Sequence, residues 1–186
     1  MTTTPTPYSV ASSGRPLKAA VIVSSDRAHT GTYEDKSGPA ATSWLEAKGF
    51  EVFDTVVIPD DQTHLIEAMM GCLDNKADLI VTSGGTGLGP RDVTPQALDK
   101  ACDYIVPGIG ELLRAESLKY SKNAHLSRCG GWVKERTLVL ALPGNPHAVV
   151  EQLDILADLL PHALAAVRGE CKHRRKATDP DAERSL

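Results

Sequence analysis

The sequence predicts an α/β domain of three layers, in which a mainly parallel sheet carries helices on both of its faces. Three observations lead to this prediction. Short apolar runs, typical of buried strands, alternate along the chain with stretches that have helical periodicity. The chain has 186 residues, which is enough for one domain with a single buried core. No internal repeat is visible, so the alternation belongs to one fold rather than to an array.

The strands are predicted from their composition. Each is a short run of mostly apolar residues that stops at a proline, a glycine or a polar cluster, as strands covered on both faces do. The four runs are residues 17–23, 51–58, 78–82 and 137–142. Because a helical stretch follows each strand, we expect a doubly wound sheet.

The helices are predicted from apolar spacing and from residues that begin or end helices. Ser37-Gly38-Pro39 begins the first helix, with proline near its first turn, and Gly49 ends it. Thr94-Pro95 begins another, with threonine as the N-cap. Asn145-Pro146 begins the last, which is predicted to bend at Pro161 and continue to about residue 168. Two further helices are predicted at about residues 61–75 and 108–120.

Charge and composition exclude several classes of protein. The chain has 20 Lys and Arg against 24 Asp and Glu, and five of the basic residues follow Cys171. The body of the chain is therefore acidic, and we expect no nucleic-acid partner. No apolar run approaches the ~18 residues of a membrane span, so no membrane partner is expected either.

The ends of the chain and its cysteines set further expectations. Residues 1–16 are predicted to be a flexible arm and residues 172–186 a basic disordered tail, which leaves a domain at 17–171. The N-terminus lacks the pattern of a signal peptide. The four cysteines are widely spaced, without a C-x-x-C pair, which excludes a zinc site and indicates reduced thiols in the cytoplasm.

Polar or glycine-rich segments follow all four predicted strands. Ligands of open parallel sheets bind beyond the carboxyl ends of the strands, so these segments are the candidate site. They are Ser24-Ser25-Asp26-Arg27, Pro59-Asp60-Asp61, the segment from Ser83 to Asp92, and Pro143-Gly144-Asn145-Pro146.

The glycine-rich segment after the third strand is typical of a phosphate-binding loop. It lacks the Lys-Ser/Thr of a P-loop, and it also fails the G-x-G-x-x-G pattern of dinucleotide folds. Its free N–H groups and the following helix N-terminus nevertheless favour phosphate. The alternative is a glycine-rich turn that binds no ligand.

The motifs of this segment also carry a family resemblance. Ser83-Gly84-Gly85-Thr86-Gly87, followed by Pro90-Arg91-Asp92-Val93-Thr94-Pro95, closely resembles the signature of the molybdopterin adenylyltransferases, the Mog/MoaB-like family of molybdenum cofactor synthesis. The resemblance covers roughly residues 17–168, and it departs from the family pattern at Asn145. It extends to Ser25-Asp26-Arg27, Ile58-Pro59-Asp60-Asp61, Leu126-Ser127-Arg128 and Leu142-Pro143-Gly144.

The resemblance implies a magnesium-dependent reaction of ATP with molybdopterin, giving adenylyl-molybdopterin and pyrophosphate. It also implies a homotrimer that hands its product to a molybdate-inserting protein. Asp60 and Asp92 are the acids it associates with catalysis and with Mg²⁺. The substrate-binding residues expected from the motifs are Ser25, Asp26, Ser83, Gly84, Gly85, Thr86, Gly87, Arg91, Ser127, Pro143 and Gly144.

Elementary chemistry supports the same acids. Transfer between two polyanions needs charge neutralisation, and an acidic body supplies it most simply through a metal ion held by carboxylates. The spacing leaves a second reading open, because Asp60 or Asp61 is also placed to cap the following helix and Asp92 lies shortly before Thr94-Pro95.

Other candidate residues also keep two interpretations. Asp26 binds a pterin ring edge or organises its own turn, and the turn is favoured. Arg27, Arg91 and Arg128 grip phosphates or are solvated. Two other functions remain as alternatives: a non-catalytic molybdopterin-binding or assembly protein of the same fold, and the molybdate-insertion activity of related domains.

Overall fold

The computed structural model describes residues 14–170. The predicted tail at 172–186 and most of the predicted arm at 1–16 therefore lie outside the described residues. Within the range of the arm, Arg15 contacts the domain, because its guanidinium donates to both carboxylate oxygens of Asp78 at 2.7 and 2.8 Å.

Strands and helices alternate through most of the described chain. The strands are β1 (Lys18–Ser24), β2 (Glu51–Ile58), β3 (Leu79–Ser83), β4 (Tyr104–Val106), β5 (Gly130–Lys134) and β6 (Thr137–Leu142). The helices are α1 (Asp26–His29), α2 (Ser37–Ala47), α3 (Gln62–Asp74), α4 (Thr94–Ala101), α5 (Pro107–Ser117), α6 (Pro146–Leu156) and α7 (Leu160–Val167), and a 3₁₀ helix spans Lys122–Leu126.

The sheet has six strands in the order β2-β1-β3-β6-β5-β4. β2, β1, β3 and β6 are parallel, whereas β5 and β4 continue the sheet in antiparallel pairing. The prediction of a mainly parallel α/β sheet is thus confirmed. Every residue of β3 and β6 is buried, as expected for strands covered on both faces.

Helices cover both faces of the sheet. The larger apolar core lies on one face, where α2, α5, α6 and α7 contribute Trp44, Leu113, Leu153 and Leu164. The smaller core lies on the other face and includes Leu65, Met69 and Leu98 from α3 and α4. Because β2, β1, β3 and β6 are parallel neighbours, their carboxyl ends lie along one edge of the sheet.

Three details of the sequence prediction are wrong. It missed β4 and β5, because β4 has three residues and β5 begins with Gly130-Gly131, a composition depleted in strands. The predicted last helix is two helices, since α6 ends at Leu156 and α7 begins one residue before Pro161. Thr94 is inside α4 rather than its N-cap, and its hydroxyl donates to the carbonyl of Gly84 at 2.9 Å.

No helix within residues 14–170 combines the length and the hydropathy needed to cross a membrane.

Candidate active site

A cavity of about 940 Å³ lies at the carboxyl ends of the parallel strands. Its floor is made by the residues that follow β1, β2, β3 and β6, as the topology requires. Of the thirteen predicted site residues, Arg91 does not line this cavity. The twelve that do are Ser25, Asp26, Asp60, Ser83, Gly84, Gly85, Thr86, Gly87, Asp92, Ser127, Pro143 and Gly144.

The glycine loop after β3 requires glycine at its first two positions. Gly84 and Gly85 have φ angles of +103° and +63°, which side chains other than glycine rarely adopt. A Cβ on Gly84 would also collide with the carbonyl oxygen of Ser24. The N–H of Gly84 donates to the carbonyl of Leu142 at 3.0 Å, so the loop is held against the end of β6.

Arg128 holds the second half of the same loop. Its Nε donates to the carbonyl of Gly87 at 2.8 Å, and its Nη2 donates to the carbonyl of Asp92 at 2.6 Å. Its backbone N–H also donates to the carbonyl of Thr86 at 2.8 Å. These three bonds orient the loop, so Arg128 is more than a solvated surface residue, and its contact with phosphate stays a prediction.

Asp92 closes the loop upon itself without capping α4. Its Oδ2 accepts the N–H of Gly89 at 2.8 Å. A Cβ on Gly87 or Gly89 would lie 2.9 or 2.7 Å from the same oxygen, so a larger residue at either position would displace this carboxylate. The N-cap of α4 is Val93, which makes no side-chain cap bond. The capping interpretation of Asp92 is wrong.

Asp60 is held by the end of β1 rather than by α3. Its Oδ1 accepts the hydroxyl of Ser24 at 2.9 Å, and its Oδ2 accepts the N–H of Asp26 at 3.0 Å. The cap of α3 is the neighbouring Asp61, whose Oδ1 accepts the N–H groups of Thr63 and His64. The capping role that the sequence divided between Asp60 and Asp61 belongs to Asp61.

Asp26 organises the turns at the ends of β1 and β2. Its Oδ1 accepts the backbone N–H of Asp60 at 3.0 Å, and its own backbone N–H donates to Oδ2 of Asp60. The two residues therefore form a reciprocal pair of hydrogen bonds. The Arg91 guanidinium donates to both oxygens of Asp26, at 3.0 and 2.8 Å. Mainly because of Arg91, the pKa of Asp26 lies below its ordinary value. Arg91 therefore connects two loops from outside the cavity, and its contact with substrate stays a prediction.

The carboxylates of Asp60 and Asp92 are ligands of the kind that Mg²⁺ prefers. Mg²⁺ in phosphate-transfer sites usually takes one or two carboxylates and completes its shell with phosphates and water. Asp60 and Asp92 supply two carboxylates to one cavity, and each oxygen that accepts a single N–H or O–H retains a free lone pair. Within residues 14–170, no group of three or more His, Cys, Asp and Glu side chains is arranged as a metal site, so the fit rests on these two carboxylates.

The end of the cavity beside α5 and the 3₁₀ helix carries neutral polar groups together with the acid Glu151. Ser127 lies there, and its Oγ accepts the N–H of Cys129 at 3.3 Å. Gln152 from α6 is 4% exposed, and its Oε1 has no hydrogen-bond partner among the described residues. Most residues of this wall were not predicted from the sequence, because they lie in segments without a recognisable motif. They include Ser117, Tyr120, Ser121, Asn123, Glu151 and Gln152.

The opposite end of the cavity is formed by residues 25–37. Sequence analysis considered Arg27 but missed Tyr33, Asp35, Lys36 and Ser37, which also line the cavity. Asp35 is used locally, because its Oδ1 accepts the N–H and hydroxyl of Ser37 at 2.9 and 3.0 Å. The sequence signal that could have identified these residues is the concentration of charged and aromatic side chains in this short loop.

Comparisons with known proteins place the chain among molybdopterin-binding domains. The family model described as "probable molybdopterin binding domain" matches residues 20–162. The chain is 38% identical over 154 residues to a molybdopterin adenylyltransferase of Helicobacter pylori, covering 80% of this chain and 86% of that protein. It is 40% identical over 151 residues to a molybdenum cofactor biosynthesis bifunctional protein of Synechococcus elongatus, covering 81% of this chain but 47% of that protein.

The fold of this chain is also similar to that of a solved structure from the same family. The molybdopterin biosynthesis enzyme MoaB of Thermus thermophilus superposes with a TM-score of 0.77 at 37% identity, covering 82% of this chain and 97% of that chain.

Proposed function

Because this chain belongs to the family of molybdopterin-binding domains, we propose that it is a molybdopterin adenylyltransferase of molybdenum cofactor biosynthesis. The observation that carries the proposal is the convergence of two carboxylates, Asp60 and Asp92, with the glycine loop in one cavity. The relatives named molybdopterin adenylyltransferase support the substrate.

The proposed reaction joins two phosphates. An oxygen of the terminal phosphate of molybdopterin attacks the α-phosphorus of ATP, and a new P–O bond forms. The bond between that phosphorus and the oxygen bridging to the β-phosphate breaks, which releases pyrophosphate and leaves adenylyl-molybdopterin. Two polyanions must meet, so the residues around them act mainly by positioning and by balancing charge.

The glycine loop and the helix that follows it are suited to hold phosphate oxygens. In the proposal, backbone N–H groups of Gly84, Gly85, Thr86 and Gly87 face the triphosphate, and the positive end of the α4 dipole adds to their attraction. Because Arg128 and Thr94 already fix the loop, little reorganisation is needed when substrate arrives.

Asp60 and Asp92 would hold Mg²⁺ against the phosphates. When bound, the ion neutralises charge that develops on the transferring group. The hydrogen bonds from Ser24 and from the backbone of Asp26 keep Asp60 oriented toward this task, and the N–H of Gly89 does the same for Asp92. Ser127, at the end of the cavity beside α5 and the 3₁₀ helix, is proposed to donate its hydroxyl hydrogen to molybdopterin, while Ser25, Ser83, Pro143 and Gly144 shape the floor.

The proposal includes a homotrimer that passes its product to a molybdate-inserting protein. Exposed apolar residues near the β4 edge support an assembly, since Leu88, Ile105 and Leu126 are at least half exposed and line a second cavity of about 500 Å³. A cytoplasmic location is proposed because the described cysteines, Cys72, Cys102 and Cys129, are free thiols.

One assay tests the function. The purified protein is incubated with ATP, Mg²⁺ and molybdopterin, and pyrophosphate is measured together with adenylyl-molybdopterin. We expect both products in equal amounts, and none when any one component is omitted. Binding of molybdopterin without pyrophosphate would instead support a carrier or assembly protein. Consumption of added adenylyl-molybdopterin together with molybdate, without pyrophosphate release from ATP, would support metal insertion.

A further inference from the structure

The two ends of the active-site cavity differ in their basic side chains. Arg27 and Lys36 are the only arginine and lysine among the described residues that line it, and both belong to the loop between β1 and α2. We call this the cationic end, although it also holds Asp26, which is paired with Arg91, and Asp35, which accepts the N–H groups of Ser37 and Gly38. The opposite end, beside the 3₁₀ helix, has no lysine or arginine in its lining and carries Glu151. Arg27 and Lys36 offer positive charge to a triphosphate at the cationic end, and the opposite end offers none.

An exposed aromatic ring also lies at the cationic end. Tyr33 lines the cavity and is 50% exposed. The guanidinium of Arg27 lies over this ring, with its central carbon 5.1 Å from the ring centroid. The guanidinium contacts the ring by a cation–π interaction, and the half of the Tyr33 surface that stays exposed can accept a second planar group.

The loop that carries Tyr33 is held in place before any ligand binds. The carbonyl of Arg27 accepts the N–H of Tyr33 at 3.1 Å and the hydroxyls of Thr32 and Thr30 at 3.0 and 3.3 Å. Gly31 makes the tight turn with a φ of +72°. A ring presented by so many local bonds loses little conformational entropy on binding, which is the condition for an effective stacking surface.

We propose that Tyr33, backed by Arg27, is the surface on which the adenine base of ATP stacks, and that it determines the selectivity for a nucleotide over a bare polyphosphate. The proposal rests on the proposed function, which makes ATP a substrate. Stacking on an aromatic side chain accepts a base through its π face. The pterin, the other planar group of the reaction, is then left to the opposite end of the cavity, which contains Ser127.

The test separates the base from the phosphates. The dissociation constants of ATP and of inorganic tripolyphosphate, each with Mg²⁺, are measured by calorimetry for the wild type and for Tyr33→Ala, Tyr33→Leu and Tyr33→Phe. Tyr104→Ala is the matched control, because Tyr104 is 57% exposed and does not line the cavity. Melting temperatures confirm that each variant is folded, and Tyr33→Leu retains an apolar side chain if Tyr33→Ala is unstable.

We expect Tyr33→Ala and Tyr33→Leu to raise the dissociation constant of ATP about tenfold and to leave that of tripolyphosphate within about twofold. Tyr33→Phe and Tyr104→Ala should match the wild type with both ligands. Equal losses for ATP and tripolyphosphate, or unchanged ATP binding, would overturn the proposal.

Pyrophosphate release is also measured with the same wild-type preparation. This measurement tests the adenylyltransferase function separately from the stacking of adenine on Tyr33. Normal turnover with unchanged ATP binding by Tyr33→Ala overturns the stacking surface and leaves the function. ATP binding that depends on Tyr33, without turnover, overturns the function and supports the surface. A wild type that binds no ATP overturns both.

Discussion

Asp60 and Asp92 reach one cavity by different local routes. Asp60 is oriented by a neighbouring strand end, through Ser24 and the backbone of Asp26. Asp92 is oriented within its own loop, where Gly89 donates to it. Neither carboxylate caps a helix, although each precedes one closely in sequence. Their side chains are therefore available for chemistry, while the adjacent Asp61 does the structural work for α3.

The contrast between these neighbours gives the first prediction. Asp92→Asn and Asp60→Asn keep the shape of the side chain but remove the charge, so pyrophosphate release should fall by about two orders of magnitude or more, with little change in melting temperature. Asp61→Ala removes the cap of α3 and should lower the melting temperature by a few degrees while turnover is preserved. Turnover and thermal melts of all three variants are measured together. Normal turnover by both asparagine variants would remove the two carboxylates from the mechanism.

At the scale of the element, short connections determine how the antiparallel part of the sheet is held. Asp103 precedes β4 and reaches the turn between β5 and β6. Its Oδ1 accepts a hydrogen bond from Nζ of Lys134 at 2.8 Å, and its Oδ2 accepts the N–H of Glu135 at 2.7 Å. Glu135 has a φ of +53°, so the turn holds a residue other than glycine in the left-handed region.

The pH dependence of stability tests this contact. Lys134, followed by the N–H of Glu135, lowers the pKa of Asp103 below its ordinary value. A carboxyl with a lowered pKa stabilises the folded state above its unfolded pKa of about 3.9, and this contribution is lost as the pH falls through the folded value. The melting temperature of Asp103→Asn should therefore lie below that of the wild type at pH 7 and converge with it as the pH falls below the folded pKa of Asp103. Asp158→Asn is the control, at an exposed position between α6 and α7. Its melting temperature should match that of the wild type at both pH 7 and low pH. A difference that persists at low pH would assign the effect to shape rather than charge.

For the molecule as a whole, the cavity and the apolar edge lie on neighbouring parts of the surface. Leu88 and Leu126 line both the active-site cavity and the second cavity near β4. β4 is a short edge strand, and its Ile105 is 50% exposed. An exposed edge strand with apolar side chains is a surface that other copies of a chain cover readily.

Sedimentation velocity at micromolar concentration tests the assembly. We expect the wild type to sediment as a species of about three times the 19.9 kDa chain mass. Ile105→Glu places a charge on the β4 edge and should shift the protein toward the monomer. Met70→Glu, on the exposed side of α3, should leave the assembly intact. A wild type that sediments as a monomer would contradict the trimer.

The sequence by itself determined the parallel part of the sheet and the edge at which the site lies. Apolar runs such as residues 137–142 are stable as strands that are buried on both faces of a parallel sheet. Because parallel strands end at the same edge of a sheet, the polar segments that follow them meet there. It did not reveal β4 and β5, because three residues and a Gly-Gly start carry little strand signal and depend on pairing with β6.

Only the tertiary structure decided what the polar side chains of the site do. Asp60, Asp61 and Asp92 have the same local signals, and their roles differ because Ser24, Thr63 and Gly89 meet them from different elements. Arg91 and Arg128 likewise carry the same charge in neighbouring motifs, yet both are bound to protein groups. Which partner each side chain meets depends on contacts between residues far apart in sequence, and local sequence patterns do not encode these contacts.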